Sequence, residues 1–198
     1  MGCLDRAGIL KAMAIFRNLK GFRDTKGLRH LVCRWCPSLH TFFFSVSEFT
    51  ITLEDVVNNL LLPVLGDKSP FDISLSNEDL EIKDKLFSHF GGHTASPGKK
   101  PVRMGRWVMN LSREKDKVDR RAEFLALSLS KFFFSEYPEY RVKSVFFPLA
   151  IRLAQGAQYP LAPMFLGHVY SQLDLLHGDK VEGNSCYAIT SSLHCAIL

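Results

Sequence analysis

The chain has 198 residues, 46% hydrophobic, 23% charged and 12% aromatic, with a formal net charge of +5. That hydrophobic share excludes a disordered chain and the length fits one domain with a sizeable core, while an odd five cysteines scattered from Cys3 to Cys195 exclude the disulfide framework of a small secreted fold. No run reaches the roughly 18 uncharged apolar residues of a membrane helix, and Asp5, Arg6, Lys11 and Arg17 interrupt any signal-peptide core, so the expectation is a soluble protein in a reducing compartment with no membrane partner.

At the N-terminus Met1-Gly2-Cys3 lacks the Ser or Thr that myristoylation asks for at the sixth position, where Arg6 stands. Ile9, Leu10, Met13, Phe16 and Leu19 share one side of a basic stretch and predict a first packing helix. Cys33-Arg34-Trp35-Cys36 is a CxxC, but the only other thiol and imidazole pair, Cys186 with His194 or Cys195, fits no common zinc spacing. Buried or half-buried free thiols are the expectation.

The next stretch, 40–66, is the richest in signals. Thr41 to Val46 and Phe49 to Thr52 are β-prone, with Ser47-Glu48 as the expected hairpin turn. Thr52 is placed to cap a helix, with Asp55 at its N3 position closing a capping box and Glu54 complementing the dipole. Val56, Val57, Leu60 and Leu61 continue at helical spacing until Pro63. His40, Glu48, Glu54 and Asp55 resemble a general acid-base set, yet each has a structural task, His40 as a buried, hydrogen-bonded imidazole at a strand start. Neither a catalytic residue nor a metal or cofactor site is expected.

Gly66 to Pro70 reads as a turn, and Ser76 with Asp79 as a second capping box before Leu80, Ile82, Leu86, Phe87 and Phe90. The segment 91–105, with four glycines, two prolines and no acid, predicts a flexible basic loop. Its glycines and Lys100 miss the phosphate-cradling P-loop pattern in both spacing and context. Between Lys99 and Arg121 nine basic residues face three acidic ones, an excess above that of the whole chain. Lys99, Lys100, Arg103, Arg106, Arg113, Lys117, Arg120 and Arg121, beside Trp107, are the candidate nucleic-acid contacts.

A helix is predicted from about Lys117 to Ser135, with Ala122, Leu125, Leu129, Phe132 and Phe133 inside and Arg120, Arg121, Glu123 and Lys131 outside. Further helical segments follow over 142–155, 161–177 and 185–198. The fold class is mainly α, one domain over 1–198, with a short β-hairpin around 41–52. The apolar end Cys195-Ala196-Ile197-Leu198 is expected of a domain incomplete at its C-terminus.

The residues Arg34, Trp35, Pro37, then His40-Thr41-Phe42, then Thr50-Ile51-Thr52-Leu53-Glu54-Asp55-Val56, then Leu62-Pro63-Val64-Leu65-Gly66 resemble, in spacing and identity, the signature of the plant mobile domain family. Weaker resemblance runs from Arg141 to Leu176. It implies a non-catalytic nuclear protein concerned with meristem maintenance, transposable-element silencing and genome stability, acting through protein partners, among them a serine/threonine phosphatase-like one. The family's label includes "aminotransferase-like", but the sequence supplies no lysine, carboxylate and phosphate-cup set for a pyridoxal cofactor. A nucleic-acid-binding module of transposon origin, using 99–121, is the alternative reading.

Overall fold

The computed structural model describes residues 2–18, 25–90, 104–113, 116–136 and 141–183. The predicted helix at 185–198 and the body of the loop at 91–105 lie outside these described residues. The first packing helix is two pieces, α1 (Cys3–Arg6) and α2 (Leu10–Asn18), because Gly8 between them adopts φ +69°. Ile9 and Phe16 are buried as predicted, whereas Leu10 is half exposed.

After α3 (Thr25–Val32) comes a sheet of three short antiparallel strands, β1 (Trp35–Cys36), β2 (Thr41–Phe43) and β3 (Glu48–Phe49), in the order β1-β2-β3. Two details differ from expectation. The sheet gains β1, whose Trp35 pairs with Phe42, through a turn in which Leu39 N–H donates to Cys36 O at 3.3 Å. Pro37 occupies the second position of that turn, where its fixed φ is preformed. The hairpin turn lies at Ser45-Val46 rather than Ser47-Glu48: Phe44 N–H donates to Ser47 O at 2.9 Å, and Glu48 pairs with Phe43 in β3. Pairing Phe42 with Phe49 puts both rings on one side, their centroids 5.0 Å apart, and this cross-strand match outweighs the local preference of Ser-Glu for a turn.

The capping box before α4 (Leu53–Leu60) is present as read: Asp55 N–H donates to the Thr52 hydroxyl at 3.2 Å and Thr52 N–H to Asp55 Oδ2 at 2.8 Å. The helix ends at Leu61 with φ 50°, a left-handed conformation usually left to glycine. Ser76 and Asp79 form the second box, opening α5 (Asn77–Phe90). Leu80, predicted inside, is 42% exposed, while Asp79 on the next turn face is 1% exposed. The helix has rolled so that Asp79 meets Gln155 and Arg152 of the α8 region.

The structure adds a helix inside the basic stretch, α6 (Met104–Arg113), overlapping the end of the expected loop. Asp116 caps α7 (Lys117–Ser128), its carboxylate accepting from Val118 and Asp119 N–H at 2.7 and 3.1 Å, and the helix continues as a π turn over Leu129–Phe133. Glu123, expected outside, is buried at 2% exposure. The reason is a polar seam between α5 and α7: Lys85 donates to Asp119 at 2.5 Å, and His89 meets Glu123 one turn on. Matched i, i+4 spacing on both helices aligns the two pairs.

A short 3-10 turn, Ser144–Phe146, leads into α8 (Phe147–Ala154), with Pro148 in its first turn, where the missing N–H costs no helical bond. The long α9 (Leu161–Val181) begins after Pro160 and extends four residues past His177. Phe16, Phe133 and Phe165 join α2, the π turn and α9, with Phe16 4.6 Å from Phe133 and 6.3 Å from Phe165. Phe87, Trp107 and Phe147 join α5, α6 and α8 at 5.1 and 5.7 Å. Complete burial of Trp107 removes it as a stacking partner for a nucleic-acid base; its Nε1–H donates to Glu123 O at 3.1 Å instead.

Candidate functional site

The signature residues, spread over more than thirty positions, converge on one helix, α9. Trp35, 2% exposed, donates its Nε1–H to Asp174 Oδ1 at 2.7 Å, and His40 Nε2 lies 3.6 Å from the other oxygen, Oδ2. The imidazole stacks on Tyr170 with centroids 4.7 Å apart and 19° between planes, and on Trp35 at 5.9 Å. Tyr170 in turn donates to Ile51 O at 2.6 Å, and Thr50 donates to His40 O at 2.5 Å. His40 is not the buried strand residue expected: its side chain is 46% exposed and its φ is 51°. A left-handed non-glycine residue persists where surrounding bonds over-determine it, and here the Thr50 bond and two aromatic stacks do so.

The second half of the signature clasps the start of the same helix. Ala162 N–H donates to Pro63 O at 2.9 Å and Lys68 N–H to Gln158 O at 3.3 Å. Gly66 approaches so closely that an added Cβ would stand 2.6 Å from Tyr159 Cα. Other signature residues support the clasp locally: Leu62 and Phe42 are buried, Thr41 is in the sheet, and Thr52, Leu53, Glu54 and Asp55 start α4, which packs along α9, whereas Leu65 is 82% exposed. Sequence reasoning missed Tyr170, Asp174 and Tyr159. The available signal was Tyr170, Asp174 and His177 at i, i+4 and i+7, a polar stripe along an otherwise apolar helix.

Of the eight basic candidates, Arg106, Lys117 and Arg120 are exposed on α6 and α7. Arg121 is turned inward, donating to Lys117 O at 3.0 Å and Ala154 O at 3.3 Å. Arg113 closes α6; Lys99, Lys100 and Arg103 lie outside the described residues. Among the described residues no group of three or more His, Cys, Asp or Glu side chains is placed to hold a metal ion.

Among the described residues two thiols are electrostatically distinctive. Arg6, bonded to Cys3 Sγ at 3.4 Å, and Arg121 hold the Cys3 thiol below its ordinary value, and the Ser38 hydroxyl, 3.2 Å away, does the same for Cys36. Cys33, expected at least half-buried, is exposed, because the chain turns outward there between α3 and β1. The surface also presents apolar side chains. Around the hairpin Leu39, Phe43, Val46 and Phe49 are exposed, Val46 at 91%, and an aromatic ladder runs outward from Phe42 through Phe49 to Phe44 under the Arg34 guanidinium. A half-open hollow of about 470 Å³ lies between Leu4, Leu10 and Met13 on one side and Phe124, Phe132 and Phe133 on the other.

Fold and site together define a mainly helical domain whose small sheet and capped helix are clasped on the long helix α9. The plant mobile domain family matches residues 8–193, nearly the entire length, and the chain belongs to that family. No curated protein and no solved structure matches it. None of the described helices is long and apolar enough to cross a membrane.

Proposed function

We propose that this plant mobile domain is a non-catalytic, nuclear protein-interaction module, serving the meristem maintenance, transposable-element silencing and genome stability that membership of its family implies. The observation that carries the interaction part is the set of exposed apolar side chains around the signature hairpin, Leu39, Phe43, Val46 and Phe49. Apolar side chains exposed on both faces and at the tip of one small hairpin mark a protein-binding element, and the Arg34 cation over Phe44, 5.1 Å from the ring centroid, adds the aromatic and guanidinium chemistry enriched at such surfaces. A serine/threonine phosphatase-like protein is the partner class the family suggests. His40, Asp174, Trp35 and Tyr170 are assigned to holding the hairpin on α9 rather than to proton transfer, since Trp35 Nε1–H is given to Asp174 and the Tyr170 hydroxyl to Ile51 O, and the His40 ring is stacked on Tyr170 and Trp35.

The test is affinity purification from plant nuclei, with and without nuclease, using the intact chain and a Phe43→Ser, Val46→Asp, Phe49→Ser variant whose helical circular dichroism is unchanged. Nuclease-resistant partners captured by the intact chain and lost by the variant are expected. Loss of all partners to nuclease, together with weakened DNA or RNA binding on changing Arg106, Lys117 and Arg120 to Glu, would instead establish the nucleic-acid reading.

A further inference from the structure

The CxxC thiol Cys33 is accounted for neither by the clasp nor by the exposed hairpin face. It lies beside a lysine 147 positions along the chain: Lys180 Nζ is in direct contact with Cys33 Sγ. Both side chains are exposed, and the thiol also donates to Arg29 O at 2.9 Å. This meeting is set by the backbone. Asp174, His177 and Lys180 occupy successive turns on one face of α9, and each meets the short stretch from Val32 to Trp35: Asp174 accepts from Trp35 at 2.7 Å, His177 Nδ1 is 3.4 Å from Val32 O, and Lys180 reaches Cys33. A spacing of three residues at each step brings all three side chains to the same neighbour.

We propose that Cys33 and Lys180 form a covalent lysine–cysteine N–O–S bridge when the protein is exposed to peroxide. A solvent-accessible thiol is the group that peroxide oxidises first. One hydrogen peroxide converts the Cys33 thiol to a sulfenic acid with release of one water. A second peroxide accepts two more electrons as the sulfenic oxygen bonds to the Lys180 amine nitrogen, one N–H and the O–H bond being lost. The sum is one thiol, one amine and two peroxides giving one S–O–NH link and three waters, with four electrons leaving the protein and four taken up. Cys36, the nearest thiol in sequence, is engaged with the Ser38 hydroxyl, whereas Lys180 already touches the sulfur. The bridge staples the entry of the sheet to the end of α9 and so reinforces the clasp that the Trp35 and Asp174 bond begins.

Peroxide treatment of the full chain, followed by proteolysis and mass spectrometry, tests this. The expected product is a cross-linked pair of peptides containing Cys33 and Lys180, heavier than their sum by about 14 Da, one oxygen gained and two hydrogens lost. It should form in the wild type and in Cys36→Ser and be absent from Cys33→Ser and from Lys180→Arg, which keeps the positive charge and the fold. The bridged wild type should melt roughly 5 °C or more above peroxide-treated Lys180→Arg, as a cross-link closing a long loop does. A disulfide from Cys33 to any other cysteine, sulfinic acid at Cys33 without a cross-link, or an unmodified Cys33 overturns the proposal; a bridge with no rise in melting temperature overturns the stapling role.

Discussion

Replacing Asp174 by Ala tests the clasp most directly. The change leaves the Trp35 Nε1–H, buried with its ring at 2% exposure, without the acceptor now at 2.7 Å. A hydrogen bond to a charged group contributes about 1.5–3 kcal/mol and the stranded donor adds its own desolvation cost within that range. The His40 contact adds little: at 3.6 Å, with the two side chains 46% and 38% exposed, solvent screening limits it to about 0.5 kcal/mol or less. The expected loss is therefore about 2–3 kcal/mol, or roughly 5–10 °C in melting temperature for a domain of this size. Urea unfolding followed by far-ultraviolet circular dichroism measures it without depending on tryptophan emission. Asp174→Asn, which keeps an acceptor oxygen, should lose about half as much. In a double-mutant cycle with Trp35→Phe the coupling energy should reach about 1.5 kcal/mol. A coupling near zero, or an Asp174→Ala variant as stable as the wild type, would show that the signature is held on α9 by apolar contact alone.

Gly66→Ala places a Cβ 2.6 Å from Tyr159 Cα and 2.7 Å from Gln158 O, both backbone atoms that cannot swing aside; a loss of about 2–3 kcal/mol is expected, and wild-type stability in thermal melts would contradict the close approach. Leu61→Gly removes the strain of φ 50° at the end of α4 from a side chain already 45% exposed, so calorimetry should find it no less stable and up to about 1 kcal/mol more stable. Acid should destabilise the fold in two windows. Burial depresses His168 below its ordinary 6.5, so as pH falls below that value the unfolded chain takes up the proton first and stability is lost through the lower folded value. At Asp79 burial opposes ionisation, but the Ser76 backbone bond, Gln155 and the Ser76 hydroxyl outweigh it and hold the carboxyl below 3.8; its contribution is present above 3.8 and disappears below it. Urea midpoints between pH 8 and 3 check both, with His168→Gln expected to flatten the upper window and Asp79→Asn the lower.

The sequence by itself determined the features whose causes are local. Thr52 with Asp55 and Ser76 with Asp79 start their helices where read, because the capping partner is three residues away and needs no tertiary help. Pro63 and Pro160 bound their helices for the same reason. The mainly helical class and the family were legible through that periodicity and through the Trp35 to Gly66 spacing. Tertiary structure alone decided what meets across the fold. Burial of Glu123 depends on His89 in α5, and burial of Trp107 depends on Phe147 in α8. The two-residue shift of the hairpin turn follows from pairing Phe42 with Phe49. The clasp was invisible for the same reason: Trp35 and Asp174 are separated by 139 positions, and no local preference of either residue encodes the other. What the signature spacing specifies is a set of side chains that can close on a helix, and only the folded chain supplies Tyr159, Tyr170 and Asp174 for them to close on.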